Sequence, residues 1–75
     1  MNAGSYRITE ADLDNWFTYH APKEGQPERY LRIRDAGRVL AQAILMNAPP
    51  GADQTAAFRK VREAVMTANQ AIACE

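Results

Sequence analysis

Apolar residues recur at helical spacing along two long segments of the chain. The first segment, residues 28–47, has an apolar face formed by Tyr30, Ile33, Gly37, Leu40 and Ile44. The second segment, residues 52–73, repeats the spacing with Ala57, Phe58, Val61, Val65, Ala68 and Ile72. Intervals of three and four residues are typical of one face of an α-helix. The pattern predicts two long helices and, because no alternating segment competes with them, no strand.

The first long helix carries a second apolar strip, formed by Leu31, Ala41 and Leu45. A helix with two apolar strips packs on more than one neighbour. Gly37 lies in the middle of the first strip, where a glycine costs about 1 kcal/mol relative to alanine. We therefore expect another backbone or a ligand to approach closely at Gly37.

A shorter helix is predicted at about residues 10–17. Thr9 and Asp12 have the spacing of a capping box, in which an N-cap hydroxyl and an acid three residues later cap each other's backbone amides. Leu13, Trp16 and Phe17 give this helix one apolar side. Residues 1–8, before it, are expected to form a loose arm.

Proline and glycine separate the predicted helices. Residues 18–27 contain two prolines and one glycine, and Pro27 suits the first position of the next helix. A short Ala-Pro-Pro-Gly turn, residues 48–51, follows that helix. So short a connection implies an antiparallel pair. The predicted fold is all-α: one domain, residues 1–75, with a short N-terminal helix followed by a long antiparallel helical hairpin.

Length and composition limit how such a domain is stabilised. A chain of 75 residues buries only about 60% of its unfolded surface. The single cysteine, Cys74, excludes an internal disulfide, and the single histidine, His20, leaves no cluster for a structural metal. Oligomerisation is the remaining means of stabilisation. No apolar run reaches the roughly 20 residues of a membrane span, and no signal peptide is evident, so an intracellular protein is expected.

The charges balance overall but are unevenly distributed. Nine Lys and Arg oppose nine Asp and Glu, which argues against a protein that coats duplex DNA. Residues 18–40 nevertheless carry five basic and three acidic side chains. Arg34 and Arg38 lie four residues apart, on one helix face, and arginine pairs bidentately with phosphate.

An ordinary solvated helix surface is the alternative for these arginines. Glu28 and Arg32 are spaced as an i,i+4 pair, and Asp35 and Arg38 as an i,i+3 pair.

Tyr19 and His20 are candidate binding residues because they lie side by side in a proline-bounded loop. Aromatic rings beside arginines can stack on nucleobases, although these rings could instead cover the end of the hairpin. Asn69 is a further candidate, because an amide near an apolar seam must be hydrogen-bonded. Asn69 could fix the register of an oligomer or face a ligand.

Catalysis is not predicted. His20 has no carboxylate or nucleophile partner by motif, and Ser5 lies in the N-terminal arm. No glycine-rich phosphate loop, paired carboxylates or metal-ligand spacing is present in the sequence, so neither a catalytic residue nor a metal or other cofactor is expected.

Two segments resemble a known family. The first comprises Phe17-Thr18-Tyr19-His20-Ala21-Pro22, Gln26-Pro27-Glu28-Arg29-Tyr30 and Ile33-Arg34. The second is Val61-Arg62-Glu63-Ala64-Val65-Met66-Thr67-Ala68-Asn69-Gln70-Ala71-Ile72-Ala73. Together they resemble the bacteriophage anti-CBASS cyclic-oligonucleotide sponges over about residues 16–73.

The resemblance implies a fold, an assembly and a function. Family members are helical hairpins that form compact homohexamers, each a trimer of dimers. They bind cyclic dinucleotides between paired protomers and cyclic trinucleotides near the threefold axes. They sequester these messengers without cleaving them, which implies action in the cytoplasm of the infected bacterial host.

The resemblance also assigns roles to residues. Tyr19 is expected to stack on a base and Arg34 to contact phosphate. For trinucleotides it implies a second-helix arginine, Arg62 or alternatively Arg59, together with the backbone amide of Thr18.

Lys23, His20 and Asn69 complete the candidate ligand-binding residues. Thr67 stands where a bulkier residue is expected in relatives, a difference that could alter packing.

Two other functions compete with the sponge. One is a small helical module that binds DNA or regulates a partner through the face from Arg29 to Arg38. The zero net charge and the lack of a helix-turn-helix signature count against it. The other is a purely structural interaction protein with solvated arginines.

Overall fold

The computed structural model describes residues 7–75, which form three α-helices. These are α1 (Glu10–Phe17), α2 (Gln26–Asn47) and α3 (Ala52–Ala73), and residues 7–75 contain no strand. The predicted all-α fold is confirmed. Most of the predicted N-terminal arm, including Ser5, lies outside the described residues.

The capping box predicted at the start of α1 forms. The backbone N–H of Thr9 donates to Oδ2 of Asp12 (2.8 Å), and the backbone N–H of Asp12 donates to Oγ1 of Thr9 (3.3 Å). Two amides that lack intrahelical partners are thereby satisfied.

Helix α2 begins at Gln26, two residues before the expected Glu28. Gly25 precedes it with a left-handed φ of 83°, a conformation that suits glycine. The Gln26 side chain, only 3% exposed, accepts from the backbone N–H of Lys23 (2.9 Å) and donates to the carbonyl of Ile72 (2.9 Å). Because Gln26 takes the first position, Pro27 occupies the second rather than the expected first.

Helices α2 and α3 pack antiparallel along a narrow seam. On α2 the half-buried side of the seam comprises Tyr30, Ile33, Gly37, Ala41 and Ile44. Leu40, expected in the seam, is 53% exposed. A period of 3.6 residues can return to the seam after three or four residues. Here the small Ala41 lies inside the seam, and the bulkier Leu40 lies at its edge.

Close helix contact explains Gly37. A Cβ atom built there would lie 2.5 Å from Cγ2 of Val65 on α3. The close approach expected at Gly37 is therefore made by an α3 side chain.

The hairpin has a thin core. Among residues 7–75 the only buried hydrophobic side chain is Ile72, which is 6% exposed. Leu31 and Leu45, from the second apolar strip of α2, are 54% and 59% exposed. The sequence predicts a second neighbour for this strip, but residues 7–75 do not supply one. No helix within these residues has the length and apolar character needed to cross a membrane.

Candidate ligand-binding site

One face of the hairpin contains a trough with two adjoining cavities, which share Arg34 and Met66. The first, of about 440 Å³, is lined by Arg34, Gly37, Arg38, Ala41, Val61, Arg62, Val65 and Met66. The second, of about 390 Å³, is lined by Tyr30, Arg34, Met66, Asn69, Gln70 and Ala73. We call both together the arginine trough. Each cavity has the size of a small-molecule site, and Arg34 lies where they meet.

Helical spacing on both sides of the seam builds the trough. Tyr30, Arg34 and Arg38 succeed one another every four residues on α2, as Arg62 and Met66 do on α3. Residues four apart share a helix face. The antiparallel packing brings these two faces together, so the predicted site residues Arg34, Arg62 and Asn69 line a single trough.

The charge of the trough is uncompensated. No carboxylate lines either cavity. Within residues 7–75, Arg34, Arg38 and Arg62 form no ion pair and no side-chain hydrogen bond, since the one ion pair of this part of the chain joins Arg29 to Glu75. Three guanidinium groups are thus available to an anion, and guanidinium matches phosphate in geometry and charge.

The helix-surface pairs considered as an alternative do not form. Neither Glu28–Arg32 nor Asp35–Arg38 is an ion pair in the described structure. The two expected pairs are therefore wrong, whereas the solvated surface of which they were part stays an alternative, because these arginines are exposed. Exposed pairs of this type are worth little, because water screens them and ordering two long side chains is unfavourable.

Asn69 departs from expectation. Its Oδ1 atom is buried and has no hydrogen-bond partner in the part of the chain that the structure describes. The sequence predicted a satisfied amide, because more than nine in ten buried polar groups are hydrogen-bonded. Asn69 is also one of the residues that line the second cavity, together with Tyr30 and Arg34, and its Oδ1 atom is buried there without a donor.

The Tyr-His loop lies outside the trough. Tyr19 is 84% exposed and lines neither of its cavities. The Nε2 atom of His20 lies 2.7 Å from the backbone carbonyl of Asn15 and so links the loop to α1. Within one chain, the structure therefore does not unite Tyr19 with Arg34.

The other candidates lie outside the trough, and two of them form side-chain hydrogen bonds with other residues. The Thr18 hydroxyl donates to the carbonyl of Asp14, and Nζ of Lys23 donates to the carbonyl of Glu75 (3.1 Å). Arg59 is exposed and lines neither cavity of the trough. Of the eight candidate residues, only Arg34, Arg62 and Asn69 line the arginine trough of one chain.

Sequence reasoning missed a polar cluster at the C-terminal end of α3. The Glu75 carboxylate accepts hydrogen bonds from Arg29 and from Nε2 of Gln26 (3.3 Å). These bonds, that of Arg29 first, lower the pKa of Glu75 below its usual 4.5. The same contact raises the pKa of Arg29. Arg29 and Gln26 lie 46 and 49 residues from Glu75 in the sequence, so no local motif predicts this cluster.

A further cavity, of about 530 Å³, lies between α1 and α3 and has no charged lining. It is lined by Trp16, Phe17, Thr67, Gln70, Ala71 and Cys74. Nδ2 of Asn15 donates to the carbonyl of Cys74 (3.0 Å), and Nε2 of Gln70 donates to that of Trp16 (3.2 Å). Trp16 is half-buried there, whereas Phe17 is 83% exposed. This cavity lacks the cations that an anionic ligand needs.

Residues 7–75 contain no group of three or more His, Cys, Asp or Glu side chains placed to hold a metal ion. Of the cavities described here, the arginine trough has the most positively charged lining, and this lining suits an anionic ligand.

Comparison with known proteins agrees with the helical-hairpin fold. The family model described as "Acb2/Tad1, hairpin domain" matches residues 9–73, which include all three helices and the whole arginine trough. No curated protein and no solved structure matches the chain.

Proposed function

The chain belongs to the Acb2/Tad1 hairpin-domain family, the anti-CBASS sponges, and from this membership we propose that it sequesters cyclic dinucleotides intact. Proteins of this family bind cyclic oligonucleotides and are binding proteins rather than enzymes. The observation that carries the proposal is the uncompensated set of three arginines in the trough. Sequestration in the cytoplasm of the infected bacterium would keep the messenger from its CBASS effector.

The trough suits the phosphates of such a ligand. Arg34 lies between the two cavities, and Arg38 and Arg62 line the first of them. A phosphodiester has two charged oxygens that a planar guanidinium can contact together. We assign Arg34 to a phosphate, with Arg62 and Arg38 adding positive charge beside it.

The site is completed by a second copy of the chain. Tyr19 is free to stack on a base but lies outside its own trough. A twofold interface presents each group twice, which matches a ligand with two phosphates and two bases. We therefore place Tyr19 of one protomer against a base that lies in the trough of its partner.

Cyclic trinucleotides form a second ligand class in this proposal. A threefold axis in a hexamer, built as a trimer of dimers, would present three equivalent arginines, and Arg62 or Arg59 of α3 is assigned to them. The backbone amide of Thr18 is assigned to a phosphate oxygen. Lys23 and His20 join this site only if they leave their present partners, Glu75 and Asn15.

Titration calorimetry with a panel of cyclic di- and trinucleotides tests the proposal. The wild-type protein should bind at least one cyclic dinucleotide and return it uncleaved after heating. Arg34→Ala should weaken binding about tenfold to a hundredfold, because a hydrogen bond to a charged group contributes about 1.5–3 kcal/mol. Arg32→Ala is the matched control, since Arg32 is exposed, unpaired in the described structure and outside the trough.

Three outcomes would contradict the proposal. They are failure of every panel member at millimolar concentration, recovery of linear product, and an equal loss of affinity in the Arg32 and Arg34 variants. Salt-sensitive binding of duplex DNA without binding of cyclic nucleotides would favour the DNA-binding module instead.

A further inference from the structure

Asn69 is the one described residue with a buried side-chain atom that lacks a hydrogen-bond partner, and this singles out the second cavity of the arginine trough. Its Oδ1 atom has no donor, and its Nδ2 atom makes no hydrogen bond to another described residue. An unsatisfied buried group is unfavourable in the free protein. Such groups are few in native proteins and each needs an explanation, and a donor on a bound ligand is one that the position of Asn69 in a cavity suggests.

The neighbours of Asn69 define what that ligand presents. Tyr30, one turn before Arg34 on α2, contributes a half-buried phenol ring to the same cavity. A phosphate held by Arg34 would therefore have the Tyr30 ring and the Asn69 amide beside it, in the second cavity. An aromatic ring offers a stacking surface to a base. A carboxamide offers one acceptor and one donor side by side, which is complementary to the hydrogen-bonding edge of a nucleobase.

We propose that Asn69 is a base-reading residue: its amide, beside the Tyr30 ring, recognises the edge of the nucleobase attached to the phosphate that Arg34 holds. This inference rests on the proposed function and adds base selectivity to it. Oδ1 accepts from the base and Nδ2 donates to it. Asparagine pairs in this way with the amino group and adjacent ring nitrogen of adenine, so an adenine-containing cyclic dinucleotide is the preferred ligand.

Met66 is a neighbour of Asn69 in the arginine trough. Met66 lies three residues earlier on α3, lines both cavities and is 66% exposed. Its unbranched thioether side chain can change rotamer at little cost. In this proposal Met66 moves aside when the ligand binds, which exposes the buried Oδ1 atom of Asn69 to the base.

The decisive test compares Asn69→Leu with wild type against cyclic di-AMP, cyclic di-GMP and cyclic di-UMP, by calorimetry. A bidentate amide–base pair corresponds to about a 5- to 140-fold difference in affinity. Asn69→Leu should lose this factor for cyclic di-AMP and less for the other two ligands. Leucine keeps the branching of asparagine at Cγ but is larger and removes the polar atoms, so melting temperatures of both proteins are compared to show that the variant is folded. Asn47→Leu, on an exposed asparagine at the other end of the hairpin, is the matched control and should bind like wild type.

The outcomes separate this inference from the proposed function. If wild type binds no cyclic dinucleotide, the proposed function fails. If wild type binds but Asn69→Leu loses the same factor for every ligand, or none, the base-reading role is overturned while the sponge stands. If Asn69→Leu instead dissociates an oligomer of the wild-type protein, its amide pairs across a protomer interface and the inference is also overturned.

Discussion

Gly37 is the residue at which packing and helix propensity oppose each other most directly. Its missing Cβ lets α3 approach, since an added Cβ would lie 2.5 Å from Cγ2 of Val65. Overpacking costs about 1–3 kcal/mol, and alanine recovers about 1 kcal/mol of helix propensity. We predict that Gly37→Ala lowers the free energy of unfolding by about 1 kcal/mol, measured by urea denaturation.

A double mutant provides the control for this prediction. Val65→Ala removes the methyl group that the new Cβ would meet, so Gly37→Ala should cost less in that background than in wild type. Such non-additivity is expected only for residues in contact. A Gly37→Ala protein more stable than wild type would show that the seam has room for the methyl group.

Glu75 gives stability a dependence on pH. Hydrogen bonds from Arg29 and Gln26 lower its pKa in the folded chain below the usual 4.5. A depressed carboxylate pKa stabilises the fold above the unfolded-state pKa, and this contribution is lost as pH falls through the folded-state value. We predict that the difference in melting temperature between wild type and Glu75→Gln is constant from neutral pH to about pH 5 and shrinks below it. Glu63→Gln, which alters an exposed and unpaired carboxylate in the described structure, should show no such trend.

The sequence predicted which side chains share a helix face, but it did not predict which residues they form hydrogen bonds with. Arg34 and Arg38 were recognisable because a four-residue interval fixes a shared helix face. The unpaired Oδ1 of Asn69 was not predictable, because satisfaction of an amide depends on which side chains the fold brings near it. The bonds of Glu75 to Gln26 and Arg29 were missed for the same reason, since they span the whole hairpin.

Among the helices, α1 has the weakest attachment to the rest of the chain. Hydrogen bonds from Asn15 and Gln70 join it to the end of α3, and its own eight residues include no buried side chain. Helices this short are marginal in water without tertiary support. Its stability therefore depends strongly on the capping box at its start.

We predict that Thr9→Ala destabilises α1 selectively. Loss of an N-cap costs about 0.5–2 kcal/mol, and here the cost falls on a helix with few other contacts. Amide hydrogen exchange should accelerate over Glu10–Phe17 while the α2–α3 seam stays protected. Thr55→Ala, within the first turn of α3, should leave exchange in α1 unchanged. Equal acceleration throughout the hairpin would show that α1 unfolds only with the whole domain.

The periodicity of apolar residues predicted that the long helices exist. It did not predict the first residue of α2 or which side chain enters the seam near Leu40. The 3.6-residue pattern predicts that α2 and α3 form and pair, and they do. The earlier start of α2 depends on the Gln26 side chain, which is held by Ile72 from the other end of the chain. The sequence placed Leu40 in the seam, where the structure has Ala41, and a period of 3.6 residues does not by itself choose between these neighbours.

At the scale of the whole molecule, the large exposed apolar surface is the feature that bears most on how the chain assembles. Ile72 alone is a buried hydrophobic residue in the described chain, whereas ten large apolar side chains are at least 39% exposed. Five of them lie on α2, one on α3, and the other four on or beside α1, so no single neighbour covers them all. A stable monomer normally exposes isolated apolar residues but not so many around so small a core. So much exposed apolar surface favours the homo-oligomer that the family resemblance implies.

The two sides of the seam favour different contacts between protomers. The arginine trough lies on one side. On the other, a shallow cavity of about 320 Å³ has a wholly uncharged lining that includes Ile33, Ala36, Leu40, Ala64 and Ala68. Small side chains permit close packing, so this apolar side suits contact with a second copy of the chain, while the charged trough suits contact through a ligand.

We predict that Leu40→Glu reduces the size of the assembly, because it places a charge in this apolar contact at a site that is 53% exposed within one chain. Mass measurement by light scattering should show a hexamer for wild type and a smaller particle for the variant. Met46→Glu is the matched control, since Met46 is 74% exposed and lies outside both the trough and the apolar cavity. If each trough works within a dimer, the smaller particle should still bind cyclic dinucleotide but lose any trinucleotide site formed about a threefold axis. Dissociation by Met46→Glu and not by Leu40→Glu would place the protomer contact on the outer face of α2 instead.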